Sequence, residues 1–265
     1  MNTQTGKAVN SYGVPSIDRM FKPFDRSAKY GFVSTGEVLT ALESKGWLVD
    51  KIQVPKRGKD ETTAKHLVRL INPTLKATLP DGLVPTINIL NSHNATSALQ
   101  LRLGIYRLVC ANGLMVGDDW AGFKVIHRDS LVRDVTERVA ELTDRIPAMA
   151  QNVSRMQSVV LDGDEAKRLI TSIVNLRYPD IQVSDIKPFS VRPRREGDLE
   201  HDLFTVFNRA QELLIHGGVQ FIGMDKQGFK TWKTTRKVGN VSDILRLNQE
   251  AYNEALSFLA AKEAA

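Results

Sequence analysis

The chain has 265 residues, 42% hydrophobic and 25% charged, a balance that supports a packed core and excludes wholesale disorder. No apolar run approaches the roughly 20 residues of a membrane-crossing helix, and the polar opening from Met1 to Lys22 lacks the apolar stretch of a secretion signal, so a cytoplasmic location without membrane partners is expected. The formal net charge of +6 favours anionic partners, nucleic acid first, and the lone Cys110 excludes an internal disulfide and a Cys-rich zinc site.

Residues 1–30 read as a polar arm. Ser34-Thr35-Gly36-Glu37 fits a capping box, and the apolar stripe Val38, Leu39, Leu42 with the stop at Gly46 predicts a helix over 35–45. Residues 47–54 read as a strand, 56–60 as a basic turn and 62–71 as the antiparallel partner, ended by Asn72-Pro73. The turn Pro80-Asp81-Gly82 precedes a third strand at 84–90. A meander after a helix predicts an α+β fold, an antiparallel sheet with helices on one face. Leu99, Leu103, Tyr106 and Cys110 recur at helical spacing, which predicts a helix over 97–111 closed by Asn112-Gly113. Arg102 is expected on its solvated side.

Residues 114–116 and 122–127 resemble two further strands about Gly117-Asp118-Asp119. Ser130 is placed to cap an amphipathic helix on Val132, Val135, Val139 and Leu142, with Pro147 kinking it or opening a new segment, and 164–176 reads as another helix. Three prolines and the basic cluster Arg192, Arg194, Arg195 make 177–197 read as a linker. Beyond it come a helix over 199–216 stopped by Gly217-Gly218, a hairpin over 219–238 about Asp225-Lys226-Gln227-Gly228, and a helix over 241–261. The organisation is therefore an arm (1–30), an α+β core domain (31–176), a linker (177–197) and a smaller helix-hairpin-helix region (198–265).

Two basic clusters carry the functional expectation. Lys51, Lys56, Arg57, Lys59 and Lys65 fall on the first hairpin; Lys226, Lys230, Lys233, Arg236 and Lys237 fall on the second, interleaved with Phe229 and Trp232. Single-strand binders pair a cationic track with aromatic platforms, because every base has a π-face and every link a phosphate. Lysines also protect a solvated edge strand from aggregation, so that chemistry has a structural explanation too. Arg107, beside Tyr106, is a further candidate for gripping phosphate. Asn91-Ser92-His93-Asn94, at a strand end, reads as a turn capping the next helix at Thr96 or Ser97. No Walker sequence, dinucleotide fingerprint, nucleophile elbow or metal-ligand spacing appears, so neither an enzyme, a cofactor nor a metal is expected.

Thr63-Ala64-Lys65-His66-Leu67-Val68-Arg69-Leu70 is followed by Ile89-Leu90-Asn91-Ser92-His93-Asn94, then by Gly104-Ile105-Tyr106-Arg107-Leu108-Val109-Cys110-Ala111-Asn112-Gly113-Leu114 and by Val125-Ile126-His127-Arg128. In that order these resemble a family of uncharacterised phage and plasmid proteins, the domain of unknown function 932, strongly over 30–144 and more loosely over 202–218. Where that family commonly has Asn-Ser-His-Asp-Gly, this chain has Asn91-Ser92-His93-Asn94-Ala95, and alanine is disfavoured at a positive φ that glycine accepts. The resemblance implies a mobile-element origin and no particular reaction. A helix, a meander and a second helix also resemble, in topology alone, the single-strand annealing proteins of phage recombination. The expected function is binding or annealing of single-stranded DNA in recombination, replication or repair, by a homo-oligomer. The alternative is a protein that acts on host or defence proteins through protein contacts.

Overall fold

A computed structural model describes residues 11–25, 32–54, 60–80, 82–107, 122–125, 131–179 and 181–264. Helix α1 (Thr35–Glu43) starts at Ser34, whose Oγ accepts the Glu37 amide at 3.3 Å. It stops where Gly46 takes φ +84° and Trp47 donates its amide back to Leu42 at 3.1 Å. Strands β1 (Leu48–Gln53), β2 (His66–Ile71), β3 (Leu83–Asn91), β4 (Leu99–Arg107) and β5 (Gly122–Val125) form one antiparallel meander in chain order. The second strand begins four residues later than the expected 62–71, because Asp60 ties Thr62 and Thr63 into a turn at 2.7 and 2.8 Å.

The expected helix at 97–111 is instead β4; residues 108–111 lie outside the described residues. A spacing of four does not distinguish the two structures, because residues four apart share a face of a strand as well as of a helix. The deciding pattern is Leu99, Leu101, Leu103 and Ile105, all buried, alternating with Gln100, Arg102 and Gly104. The topological likeness to annealing proteins rested on that helix and loses its support. The covering of the sheet also differs from expectation. All nine residues of β3 are buried, so both of its faces are covered rather than one.

Helix α2 (Leu131–Thr143) buries Val135, Val139 and Leu142 as expected. Pro147 stands in the first turn of a new helix, α3 (Ile146–Ser158), where its missing N–H is not needed. Helix α4 (Gly163–Asn175) opens with a full capping box between Asp162 and Glu165. Between α4 and α5 (Leu203–His216) the chain makes three short 3-10 turns. Strands β6 (Gln220–Met224) and β7 (Lys230–Thr234) form the second hairpin, and α6 (Val241–Glu263) closes the chain. Helix α5 packs on α3, α4 and α6, and one continuous apolar core runs from Ile17 to Leu259. Gly217 is required where α5 turns into β6: its φ is +74° and a Cβ there would meet the Thr235 carbonyl oxygen at 2.5 Å. No helix among the described residues is long and apolar enough to cross a membrane.

Candidate nucleic-acid interface

Asp225 builds the turn of the second hairpin. Its Oδ1 accepts the amides of Gln227 at 2.9 Å and Phe229 at 2.8 Å, and Gly228 supplies the positive φ of +86°. The register that follows sets Lys230 opposite Met224, Trp232 opposite Ile222 and Lys233 opposite Phe221. Side chains alternate along a strand, so Lys230 and Trp232 share one face and Lys233 takes the other. Phe221 is buried against Tyr178, their rings 6.0 Å apart, which makes the Lys233 face the inner one. Lys233 lies across Gly223 and donates to the Met224 carbonyl. Trp232 and Phe229 are open, at 58% and 71% exposure.

A third rail runs beside β6. Ile186 bridges to Phe221, the Lys187 amide donates to Gln220 at 2.8 Å, and the Gln220 amide donates to Ser190 Oγ at 3.1 Å. This rail sets Lys187 Nζ 5.6 Å from the centre of the Trp232 ring. Two residues on, Phe189 is 72% exposed with the Arg192 guanidinium 5.7 Å from its ring. Two cation–aromatic pairs are thus exposed along the rail and the hairpin, Lys187 with Trp232 and Arg192 with Phe189. Lys187, Phe189 and Arg192 come from the stretch read as a linker. They were legible as the same cation–aromatic interleaving that singled out 229–233, but the lack of periodicity concealed it.

The segment leading into β2 touches the first turn of α6. Lys65 donates from Nζ to Ser242 Oγ at 3.0 Å. Lys51 is exposed on β1, the edge strand. Partial burial, then the positive charges of Arg69 and Lys237, hold the Lys51 ammonium below its usual pKa, with Asp50 opposing. Burial and Lys237 likewise lower the pKa of His216, so Lys51, Lys237 and His216 share one positive neighbourhood. Arg236 is exposed there, its amide held by the Tyr178 hydroxyl at 2.9 Å and its carbonyl by Arg177.

Across the sheet the register aligns Lys51, Arg69, Asn88 and Arg102 on four adjoining strands. A bulge between Val49 and Lys51 brings Asp50 to Arg69, whose Nη2 and Nε reach one carboxylate oxygen at 2.5 and 2.6 Å. Arg102, expected on a solvated helix face, is half-buried on β4, and its enclosed Nε has no hydrogen-bond partner among the described residues.

Of the remaining candidates, Lys56, Arg57 and Lys59 lie outside the described residues, as do Cys110, Asp118, Asp119 and His127. For Arg107 only the backbone is described, opposite Leu83 at the end of β4. The Asn91–Asn94 group forms a turn, as expected, but leads into a strand rather than capping a helix. Asn94 Oδ1 accepts from the Thr96 amide at 3.1 Å, Ser92 Oγ accepts from the Ser97 amide at 2.9 Å, and Ala95 takes φ +61°. Alanine therefore keeps the left-handed turn that glycine would favour. His93 is wholly buried and donates from Nε2 to the Ser16 carbonyl at 2.7 Å, which ties the N-terminal segment to the sheet. These groups serve the fold.

The chain belongs to the family described as Domain of unknown function (DUF932), whose model matches residues 25–251. It is similar to two proteins of Escherichia coli (strain K12). The UPF0380 protein YafZ is 29% identical over 249 residues, covering 93% of this chain and 88% of that protein. The UPF0380 protein YfjQ is 29% identical over 251 residues, with the same coverage of both chains. No solved structure matches significantly.

Proposed function

We propose that this DUF932 member binds single-stranded nucleic acid, DNA foremost, without catalysing a reaction on it, in recombination, replication or repair on a mobile element. The observation that carries the reading is that two exposed rings, Trp232 and Phe189, each sit beside a cation, Lys187 and Arg192. A base can stack on each ring while its phosphate meets the neighbouring charge. Lys51, Arg236 and Lys237 extend the same positive potential toward the first hairpin.

The test is fluorescence anisotropy of a labelled oligothymidine across a salt series. If four phosphates are neutralised, log affinity falls against log salt with a slope of roughly −3. The triple change Lys187→Ala, Lys230→Ala, Arg236→Ala flattens that slope. No binding even at low salt refutes the reading. A second reading has its own observation: Met224, at 55% exposure, and Phe229 leave an apolar tip on the hairpin, suited to a host-protein contact. Binding to a protein partner that is insensitive to salt and lost on Phe229→Ser would favour it.

A further inference from the structure

A cavity of about 500 Å³ lies between α4 and the segment from Val183 to Pro193, with Arg209 of α5 in its lining. Its walls include Ile170, Val183, Ile186, Pro188, Val191 and Pro193. Its charged and titratable lining is entirely basic, Lys167, Arg192, His201 and Arg209, with no acid among the described residues. Two of these charges are already engaged: Lys167 pairs with Asp164 at 3.1 Å, and Arg192 lies over Phe189.

Arg209 differs. Its Nη2 donates to the Val191 carbonyl at 3.0 Å, while its enclosed Nε finds no acceptor among the described residues. The nearby acid, Asp198, is held by Arg195 at 3.4 Å. Burial pushes the Arg209 guanidinium down from its usual pKa, with Asp198 opposing. Arg209 is half-buried and stands in the lining of the cavity, and the planar fork of a guanidinium matches a carboxylate or phosphate.

We propose that this cavity binds a small amphipathic anion, an apolar chain or ring carrying one carboxylate or phosphate, with its head on Arg209 and its body among Ile170, Ile186 and Val191. The volume lies in the range of small-molecule sites, and the lining has their usual make-up of apolar walls with few polar groups. The rail that carries Lys187 and Phe189 also walls this cavity, through Ile186, Pro188, Val191 and Arg192.

Isothermal titration of the full chain with decanoate and with decyl phosphate tests the proposal, with decanol and acetate as the tail-only and head-only controls. At least one amphiphile saturates a single site, and comparison of the two arms assigns the head group. Arg209→Met weakens that amphiphile roughly 10- to 100-fold, the loss of a charged hydrogen bond, and leaves decanol unchanged. Val183→Trp, at an exposed position in the lining, blocks the amphiphile without disturbing the core and decides the matter should the Arg209 variant fail to fold. The proposal is overturned if neither amphiphile saturates the wild-type chain below its micelle concentration. It is equally overturned if a folded Arg209→Met, or Val183→Trp, keeps wild-type affinity.

Discussion

Lowering the pH from about 7.5 to about 4.5 should remove about 2.5 kcal/mol of folding stability through His66 alone. The imidazole is wholly buried at the start of β2. Its Nδ1 donates to the Ala64 carbonyl at 2.9 Å, and its Nε2 accepts from Thr35 Oγ1 at 2.8 Å. Thr35 is free to donate because it accepts from Asn91 Nδ2 at 3.0 Å. The chain of donors thus suits the neutral ring, and burial pushes its pKa down to about 4, with the Ala64 carbonyl opposing. In the unfolded chain the ring returns to about 6.5. Above that value it is neutral in both states and stability is intact; as pH falls toward 4 the unfolded state takes up the proton and the fold does not. The full difference is about 3 kcal/mol, of which about 2.5 is lost by pH 4.5. Urea unfolding at both pH values measures it, with His66→Gln as the comparison, since glutamine can make both contacts without titrating. Equal pH-dependent losses in the two proteins, or an NMR titration of His66 near its unperturbed value, would refute the reasoning.

Other perturbations follow from local geometry. Ala95→Gly should raise stability by about 1 kcal/mol, read as a higher Tm in calorimetry, because Ala95 sits at φ +61°. Gly217→Ala should cost roughly 3 kcal/mol or more in urea unfolding, since its Cβ has no room beside the Thr235 backbone at a positive φ. Asp162→Ala should cost about 1 kcal/mol by removing the acceptor of the Asp164 and Glu165 amides at the start of α4. Trp232→Ala should weaken oligothymidine binding by roughly 1–3 kcal/mol in anisotropy, whereas Trp232→Phe should retain most of it.

What the sequence disclosed depended on whether local chemistry decided the structure. Ser34, Gly46 and Asp225 act on backbone groups within a few residues, so the first helix and the second hairpin were legible. Strand β4 was not, because its four-residue leucine spacing suits either structure and its partner across β3 decides. The second cluster, at Lys230 and Trp232, was legible as composition, but not which side each residue would take. That follows from the register, which puts Lys233 on the face of Phe221 and Trp232 on the opposite one. The rail from Ile186 to Arg192 was hidden for a different reason: its contacts to β6 lie about 30 residues away in sequence and leave no periodic trace.

The central claim is that one strand of nucleic acid lies along the rail and the outer hairpin face. Hydrogen exchange of the full chain with and without excess oligothymidine tests this most directly. Slowed exchange should map to 186–192 and 230–237, with β1 joining, while the outer turns of α6 stay unchanged. Unchanged exchange in those segments while the oligonucleotide is demonstrably bound, or protection confined to α6, would contradict it.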